Sequence, residues 1–229
     1  MTRLDVEHLA AGYGTTQVVT DVSLSVEAGQ IVAIFGRNGV GKTTLLRGIM
    51  GYLPLSCGRV LLDGEPISGK RTHVIVKAGV GYAAQERSIF SDLTVETNLK
   101  LARQGGDNRE EEAMLDCFPR IRERMTQKAG TLSGGEQKML IAVRTLANAS
   151  RVAILDEIVE GVQPGLLGMF QEAVRRASSR GLSILLVEQH LNYALPLAHD
   201  FIVMSSGRVV EAGPVTGSSR EQIERHLVL

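Results

Sequence analysis

The run Gly36-Arg-Asn-Gly-Val-Gly-Lys-Thr43 follows directly on the continuous apolar stretch Ile31–Phe35 and fits the pattern GxxxxGK[ST]. A five-residue apolar run of that kind reads as a parallel strand buried on both faces. Leu45–Met50 continues a helix that opens where the glycines end. Strand, glycine turn and helix together make a phosphate cradle. Gly36, Gly39 and Gly41 allow backbone conformations that turn successive N–H groups inward. The helix start adds partial positive charge. Lys42 can reach the β- and γ-phosphates, and the Thr43 hydroxyl can ligate Mg²⁺. With glycine near 7% of residues, the pattern arises by chance in roughly one chain in a hundred. The strand and helix around it make chance less plausible still, so the chain is expected to bind a nucleotide.

The remaining apolar runs fit the same scheme. Val80–Ala83, Val152–Leu155, Ile184–Val187, Phe201–Met204 and Arg208–Glu211 read as strands, alternating with helical patterns at Ser133–Ala149, from Pro164 to Gly181, and at Leu191–Ala198. That alternation predicts a three-layer α/β core with a mainly parallel sheet. Early β-rich segments at Leu4–Leu9, Val18–Val26 and Val60–Leu62 add a β subdomain, and the charged stretch Leu93–Met125 reads as a helical insert.

Composition excludes several classes. Lys plus Arg number 25 and Asp plus Glu number 25, so no global field draws the chain to nucleic acid or anionic lipid. There is no Trp, with four Tyr and five Phe, which leaves little for stacking platforms. Cys57 and Cys117 lack metal-ligand spacing and read as free, at least half-buried thiols in a reducing compartment. The opening MTRLDVEHLA is too charged for a signal peptide, and no run approaches the ~20 apolar residues of a membrane span. A cytosolic protein is expected, reaching any membrane through a partner.

A second motif narrows the class. Leu132-Ser-Gly-Gly-Glu-Gln137 opens a helix, with Ser133 and Glu136 at capping-box spacing. A merely well-capped helix would show the same spacing. Two glycines in a first turn, however, cost about 1 kcal/mol each relative to alanine. Bare N–H groups at a helix start make a phosphate site, which accounts for that cost. LSGGE after a P-loop resembles the signature of the ATP-binding cassette (ABC) ATPases, and the resemblance covers essentially the whole chain.

The resemblance implies a P-loop NTPase fold with an N-terminal antiparallel β subdomain and a helical subdomain insert. Residues 1–229 would form one cassette. In it 1–84 and 151–229 make the RecA-like core with the β subdomain, and 85–150 the helical subdomain carrying the signature helix. ATP and Mg²⁺ are the implied ligands. Tyr13 would stack on adenine, and Gly36, Asn38, Gly39, Gly41, Lys42, Thr43 and Thr44 would hold the phosphates. Thr43, Gln85 and Asp156 would manage Mg²⁺, Glu157 would activate the attacking water, and His190 would be the switch histidine on the γ-phosphate. Ser133, Gly134 and Gly135 would close over the ATP of a second ATPase subunit.

Glu86–Glu96, Phe118-Pro119, Glu160-Gly-Val-Gln-Pro164 and Leu186-Val-Glu-Gln-His190 resemble the importers of branched-chain amino acids and of urea or short amides. That group implies transmembrane permease subunits docking around Gln85–Phe90, with Ile89 and Phe90 as candidates for an exposed apolar contact. It also implies an extracytoplasmic substrate-binding protein and a location on the inner face of the cell membrane. A soluble or regulatory cassette of low turnover and an exporter ATPase are the alternatives. One stretch departs from the family: Ile158 and Val159 stand where Pro and then Ser or Thr usually follow the catalytic Glu. Without the proline ring the turn behind Glu157 is expected to loosen.

Overall fold

The computed structural model of the chain describes residues 4–85, 89–103 and 108–227. The chain begins with a hairpin of β1 (Leu4–Tyr13) and β2 (Thr16–Val26), followed by β3 (Ile31–Phe35) and α1 (Lys42–Ile49). Next come β4 (Leu55–Leu62), the short β5 (Glu65–Pro66), α2 (Thr72–Lys77) and β6 (Val80–Ala83). The helical block holds α3 (Val95–Lys100), α4 (Arg109–Cys117), α5 (Pro119–Glu123) and α6 (Gly134–Asn148). The chain returns through β7 (Val152–Asp156), α7 (Leu167–Ser179), β8 (Ser183–Val187) and α8 (Leu191–Ala194). It ends with β9 (Asp200–Ser205), β10 (Arg208–Pro214) and α9 (Ser219–Leu227).

Two sheets result. β2-β1-β4-β5 is antiparallel throughout, with Leu4, Val6 and Leu9 opposite Val26, Leu24 and Val22. The larger sheet runs β10-β9-β3-β8-β7-β6 and is parallel except for its β10 edge. Alternation along its central strands builds the layers. Ile31, Ala33, Phe35, Ala153, Leu155, Ile184 and Leu186 face one core, with α6 and α7. Val32, Ile34, Val152, Ile154, Leu185 and Val187 face the other, with α1 and the antiparallel sheet. Strands buried on both faces are apolar along their length, with polar residues only at an end, Asp156 closing β7 and Ser183 opening β8. In an open parallel sheet the ligand crevice lies beyond the carboxyl ends of the strands. Here β3, β7 and β8 deliver the P-loop, Asp156-Glu157 and Glu188-Gln189 to that rim.

Several elements differ from their sequence patterns. α8 ends at Ala194 rather than Ala198, because Pro196 has no N–H and disfavours helix at the residue before it. Pro164–Leu166 forms a 3₁₀ turn, and α7 proper starts at Leu167. α2 was not expected: Val74-Ile75-Val76 is β-branched, yet it forms a helix that buries Ile75. Cys57 is exposed on β4 rather than half-buried, while Cys117 is half-buried, and both are free.

Candidate active site

Between β3 and α1 the chain turns through Gly39 and Gly41, at φ +81° and +107°. A side chain at Gly41 would be strained and would also press on Val19, its Cβ 3.1 Å from Cγ2. Lys42 is the first residue of α1 and is buried. Its Nζ donates to the carbonyls of Gly36 (2.7 Å) and Arg37 (3.1 Å) and lies 3.3 Å from Oε1 of Glu157. A cavity of about 270 Å³ opens here, walled by Asn38, Gly39, Gly41, Lys42, Thr43 and Thr44, with Gln85 and Glu157 closing the far side. Its donors are backbone N–H groups, a hydroxyl and an ammonium, a set made for phosphate oxygens.

Asp156 ends β7 and is 1% exposed. Oδ2 accepts a hydrogen bond from the Tyr82 hydroxyl (3.2 Å), and buried Oδ1 has no partner among the described residues. Burial pushes the carboxyl up to about 6 and the neighbouring Glu157 adds to this, against the hydrogen bonds from Tyr82 and Thr43 and the charge of Lys42. A cation at this point would restore the ionised form. The orphaned oxygen beside the Thr43 hydroxyl therefore fits Mg²⁺. No cluster of three or more His, Cys, Asp or Glu occurs among the described residues.

Glu157 has the left-handed φ of +49°, an unfavourable conformation for a residue with a side chain, costing about 1–3 kcal/mol. Several contacts hold it there. Its N–H donates to Val187 O (2.9 Å), and Lys138 Nζ on α6 donates to its carbonyl (3.3 Å). Oε2 accepts from Gln85 Nε2 (2.9 Å), and Oε1 accepts from Gln189 Nε2 (2.8 Å). Gln85 Nε2 also reaches Glu160 Oε2 (2.9 Å), and Gln189 Nε2 reaches Asn38 Oδ1 (2.7 Å).

Lys42 and Gln85 thus contact Glu157, Asn38 is joined to it through Gln189, and Asp156 precedes it. His190, contrary to expectation, is exposed at the start of α8, and its ring takes no part in these hydrogen bonds. The residue before it, Gln189, is the one bonded to Asn38 and Glu157. Residues that sequence reasoning missed are Gln189, Tyr82 and Lys138. Gln189 lies in the run Leu186–His190 beside the histidine that the resemblance singles out, whereas Tyr82 and Lys138 are flagged only by their strand and helix positions near Asp156-Glu157.

The turn after Glu157 is packed, contrary to expectation. Ile158 and Val159 are each 2% exposed and belong to the core under α6 and α7. Glu160 N–H and Val162 N–H bond back to Glu157 O (3.2 Å) and Val159 O (3.0 Å). Apolar burial substitutes for the rigidity of a proline ring.

Tyr13, at the end of β1, is 44% exposed, which leaves its ring accessible for stacking. Its hydroxyl accepts a hydrogen bond from Arg47 Nη1 (3.1 Å). Ser133 caps α6 reciprocally: Glu136 N–H donates to Ser133 Oγ (3.4 Å) and Ser133 N–H to Glu136 Oε2 (2.9 Å). Burial alone would raise the Glu136 carboxyl, but the Ser133 donors and the charges of Arg124 and Arg120 hold it below its usual value. Ser133 and Gly134 are exposed, Gly134 has open space around it, and none of Ser133, Gly134 and Gly135 lines the P-loop cavity.

Comparison with known proteins gives the same class. The chain is 35% identical to the high-affinity branched-chain amino acid transport ATP-binding protein BraG of Pseudomonas aeruginosa, over 90% of this chain and 91% of that one. It is 32% identical to the lipopolysaccharide export system ATP-binding protein LptB of Escherichia coli K12, over 94% and 92%. A nucleotide-free ATP-binding cassette from an ABC transporter superposes with a TM-score of 0.86 at 24% identity, covering 98% of this chain and 96% of the other, which shows the shared fold. The family model described as ABC transporter matches residues 19–160, from β2 through the turn behind Glu157. That match, with two relatives aligned along nearly their whole length, places the chain in the ABC transporter family, as a subunit whose ATP hydrolysis is coupled to transport.

Proposed function

We propose that this chain is the ATPase of an importer for branched-chain amino acids or for urea and short amides, working with Mg²⁺. The observation that carries the catalytic part is the convergence of Lys42, Gln85 and Gln189 on the two oxygens of Glu157, beside the buried Asp156. Lys42 and the loop N–H groups hold the phosphates. Bound Mg²⁺ would supply charge neutralisation on the phosphate oxygens, with Thr43, Asp156 and Gln85 as its protein-side neighbours. Glu157 takes the proton of the attacking water. Tyr13 stacks on adenine.

Residues 1–229 act as one cassette. Exposed Ser133 and Gly134, with half-buried Gly135, lie outside their own P-loop cavity and serve the nucleotide of a second ATPase subunit. No helix among the described residues is long and apolar enough to cross a membrane, so the chain reaches the inner face of the membrane through permease subunits. A cleft of about 840 Å³ between α2, β6 and the helical block is the docking groove, with exposed Tyr52 and Leu101 on its walls. Phe90, 55% exposed, is a further apolar contact, whereas Ile89 packs against the core. Of the expected docking stretch Gln85–Phe90, residues 86–88 lie outside the described ones. A substrate-binding protein would engage the permease from the other side.

Similarity to BraG favours import of a branched-chain amino acid, and similarity to LptB supports export as the second reading. Uptake of radiolabelled leucine and urea by cells with and without the gene decides between them. Loss of either uptake, restored by the wild-type chain and not by Glu157→Gln, is the expected result. Unchanged uptake of both overturns the importer reading.

A further inference from the structure

Tyr82 stands between Asp156 and the cleft beside α2. On the parallel strands it lies opposite Ile154 of β7, and it packs on the face formed by Val152 and Ile154. Asp156 is two residues further along β7 on the same face, about 6–7 Å towards the carboxyl end. A phenol spans that offset. Its hydroxyl donates to Oδ2 of Asp156 (3.2 Å), a bond that an aliphatic residue on β6 could not supply.

The ring is held in place as well. Tyr52 packs beside it, with centroids 6.2 Å apart and planes inclined by 50°. The half-buried Tyr82 ring lines a cavity of about 420 Å³ together with Thr43, Arg47, Gln85 and Asp156, and it also forms part of the wall of the 840 Å³ cleft. Its hydroxyl therefore reaches the Asp156 carboxylate from a fixed direction. That contact sorts the two oxygens: Oδ2 is bound to the phenol, while buried Oδ1 has no partner among the described residues.

We infer that Tyr82 is a positioning residue for Mg²⁺: its hydroxyl fixes the Asp156 carboxylate so that Oδ1 is left to the ion. The inference rests on the reading of the chain as an Mg²⁺-dependent ATPase. A hydrogen-bond partner behind a metal-holding carboxylate orients it, and removing such a partner costs roughly 10- to 100-fold in metal affinity. The loss should fall on the metal and spare the nucleotide, because Tyr82 does not line the P-loop cavity.

The test uses the full chain and the variants Tyr82→Phe, Asp156→Asn and the two combined. Tyr82→Phe keeps the ring against Tyr52 and loses only the hydroxyl. Mn²⁺ is the probe, since it takes the same oxygen ligands as Mg²⁺ and is visible by EPR. Three quantities are measured: Mn²⁺ affinity of the complex with the non-hydrolysable analogue AMP-PNP, AMP-PNP affinity in EDTA, and the free Mg²⁺ concentration that gives half-maximal ATP turnover. For Tyr82→Phe, Mn²⁺ affinity should fall roughly 10- to 100-fold and the half-maximal Mg²⁺ concentration should rise by a similar factor. AMP-PNP binding in EDTA should stay within about twofold of the wild type. Added to Asp156→Asn, Tyr82→Phe should change Mn²⁺ affinity by no more than about twofold, because the carboxylate it acts through is gone. Unchanged Mn²⁺ affinity in Tyr82→Phe would overturn the proposal. An equal loss of AMP-PNP binding in EDTA would also overturn it, by showing a residue that only supports the nucleotide site. So would the full loss persisting on top of Asp156→Asn, since the hydroxyl would then act elsewhere. A wild-type AMP-PNP complex that takes up no Mn²⁺ would overturn the Mg²⁺ reading and this proposal with it. A wild type that binds no AMP-PNP would overturn the ATPase assignment itself.

Discussion

The N–H of Val159 donates to Oε1 of Glu188, 3.3 Å away, and this bond ties the turn behind Glu157 to the segment after β8 that carries Gln189. Glu188 is 1% exposed and its Oε2 has no partner among the described residues. Burial pushes its carboxyl up to about 8, against the Val159 N–H, with the charge of Glu157 adding to the shift and Lys138 opposing it. The group is therefore neutral in the folded protein at physiological pH. Unfolded, it titrates near 4.5.

The sign of the resulting pH dependence follows. Between about 4.5 and 8 the unfolded chain releases this proton while the folded chain keeps it, so the stability of the wild type falls as pH rises through that window. The contribution reaches at most about 5 kcal/mol and is complete above the folded value. Glu188→Gln cannot ionise and should remove that slope. Urea unfolding of both proteins at several pH values across the window checks it; parallel profiles would contradict the buried neutral acid.

Lys42→Ala should leave the fold intact and weaken ATP binding. Among the described residues its ammonium bonds to the loop's own carbonyls and to Glu157. A charged hydrogen bond contributes about 1.5–3 kcal/mol, so binding should weaken roughly 10- to 100-fold. Calorimetric titration with ATP and a thermal melt separate lost binding from lost structure.

Tyr13→Ala should raise the KM for ATP. Stacking of a base on an aromatic ring is worth about 1–3 kcal/mol, or roughly 5- to 100-fold. Tyr13→Phe keeps the ring and loses only the bond from Arg47, an exposed contact, so its KM should stay near that of the wild type. Equal damage in both variants would assign the role to the Arg47 bond and not to stacking.

Gly134→Asp separates the two faces of the signature helix. A Cβ at Gly134 meets nothing within 4 Å, so the isolated chain should melt and bind ATP as the wild type does. A carboxylate beside the bare N–H groups would repel a phosphate presented by another subunit. ATP-dependent dimerisation and turnover should both disappear, as size-exclusion and phosphate release would show.

The sequence displays the parts of this site whose chemistry is local. The P-loop declares itself because phosphate binding demands glycines, Lys42 and Thr43 in one short run, and α6 because Ser133 and Glu136 cap each other. Strands β3, β7 and β8 are visible because burial on both faces leaves a continuous apolar run, Val152–Leu155 and Ile184–Val187 among them. Gln189 is not visible, since its bonds to Asn38 and Glu157 depend on how the chain leaves β8, where Glu188 contacts Val159 twenty-nine residues upstream. The stiffness of the Ile158-Val159 turn is hidden for the same reason: it comes from packing under α6 and α7, not from the residues' own backbone preferences. α2 forms against its β-branched propensity because Ile75 is buried in the core.

The central claim is that Glu157 is the base of a working ATPase that closes as a dimer on ATP. Its most direct test compares ATP turnover and size-exclusion in ATP and Mg²⁺ for the wild type and Glu157→Gln. The account predicts hydrolysis by the wild type, and a variant that binds ATP, does not turn it over and elutes as an ATP-trapped dimer. Turnover by Glu157→Gln at the wild-type rate would contradict it.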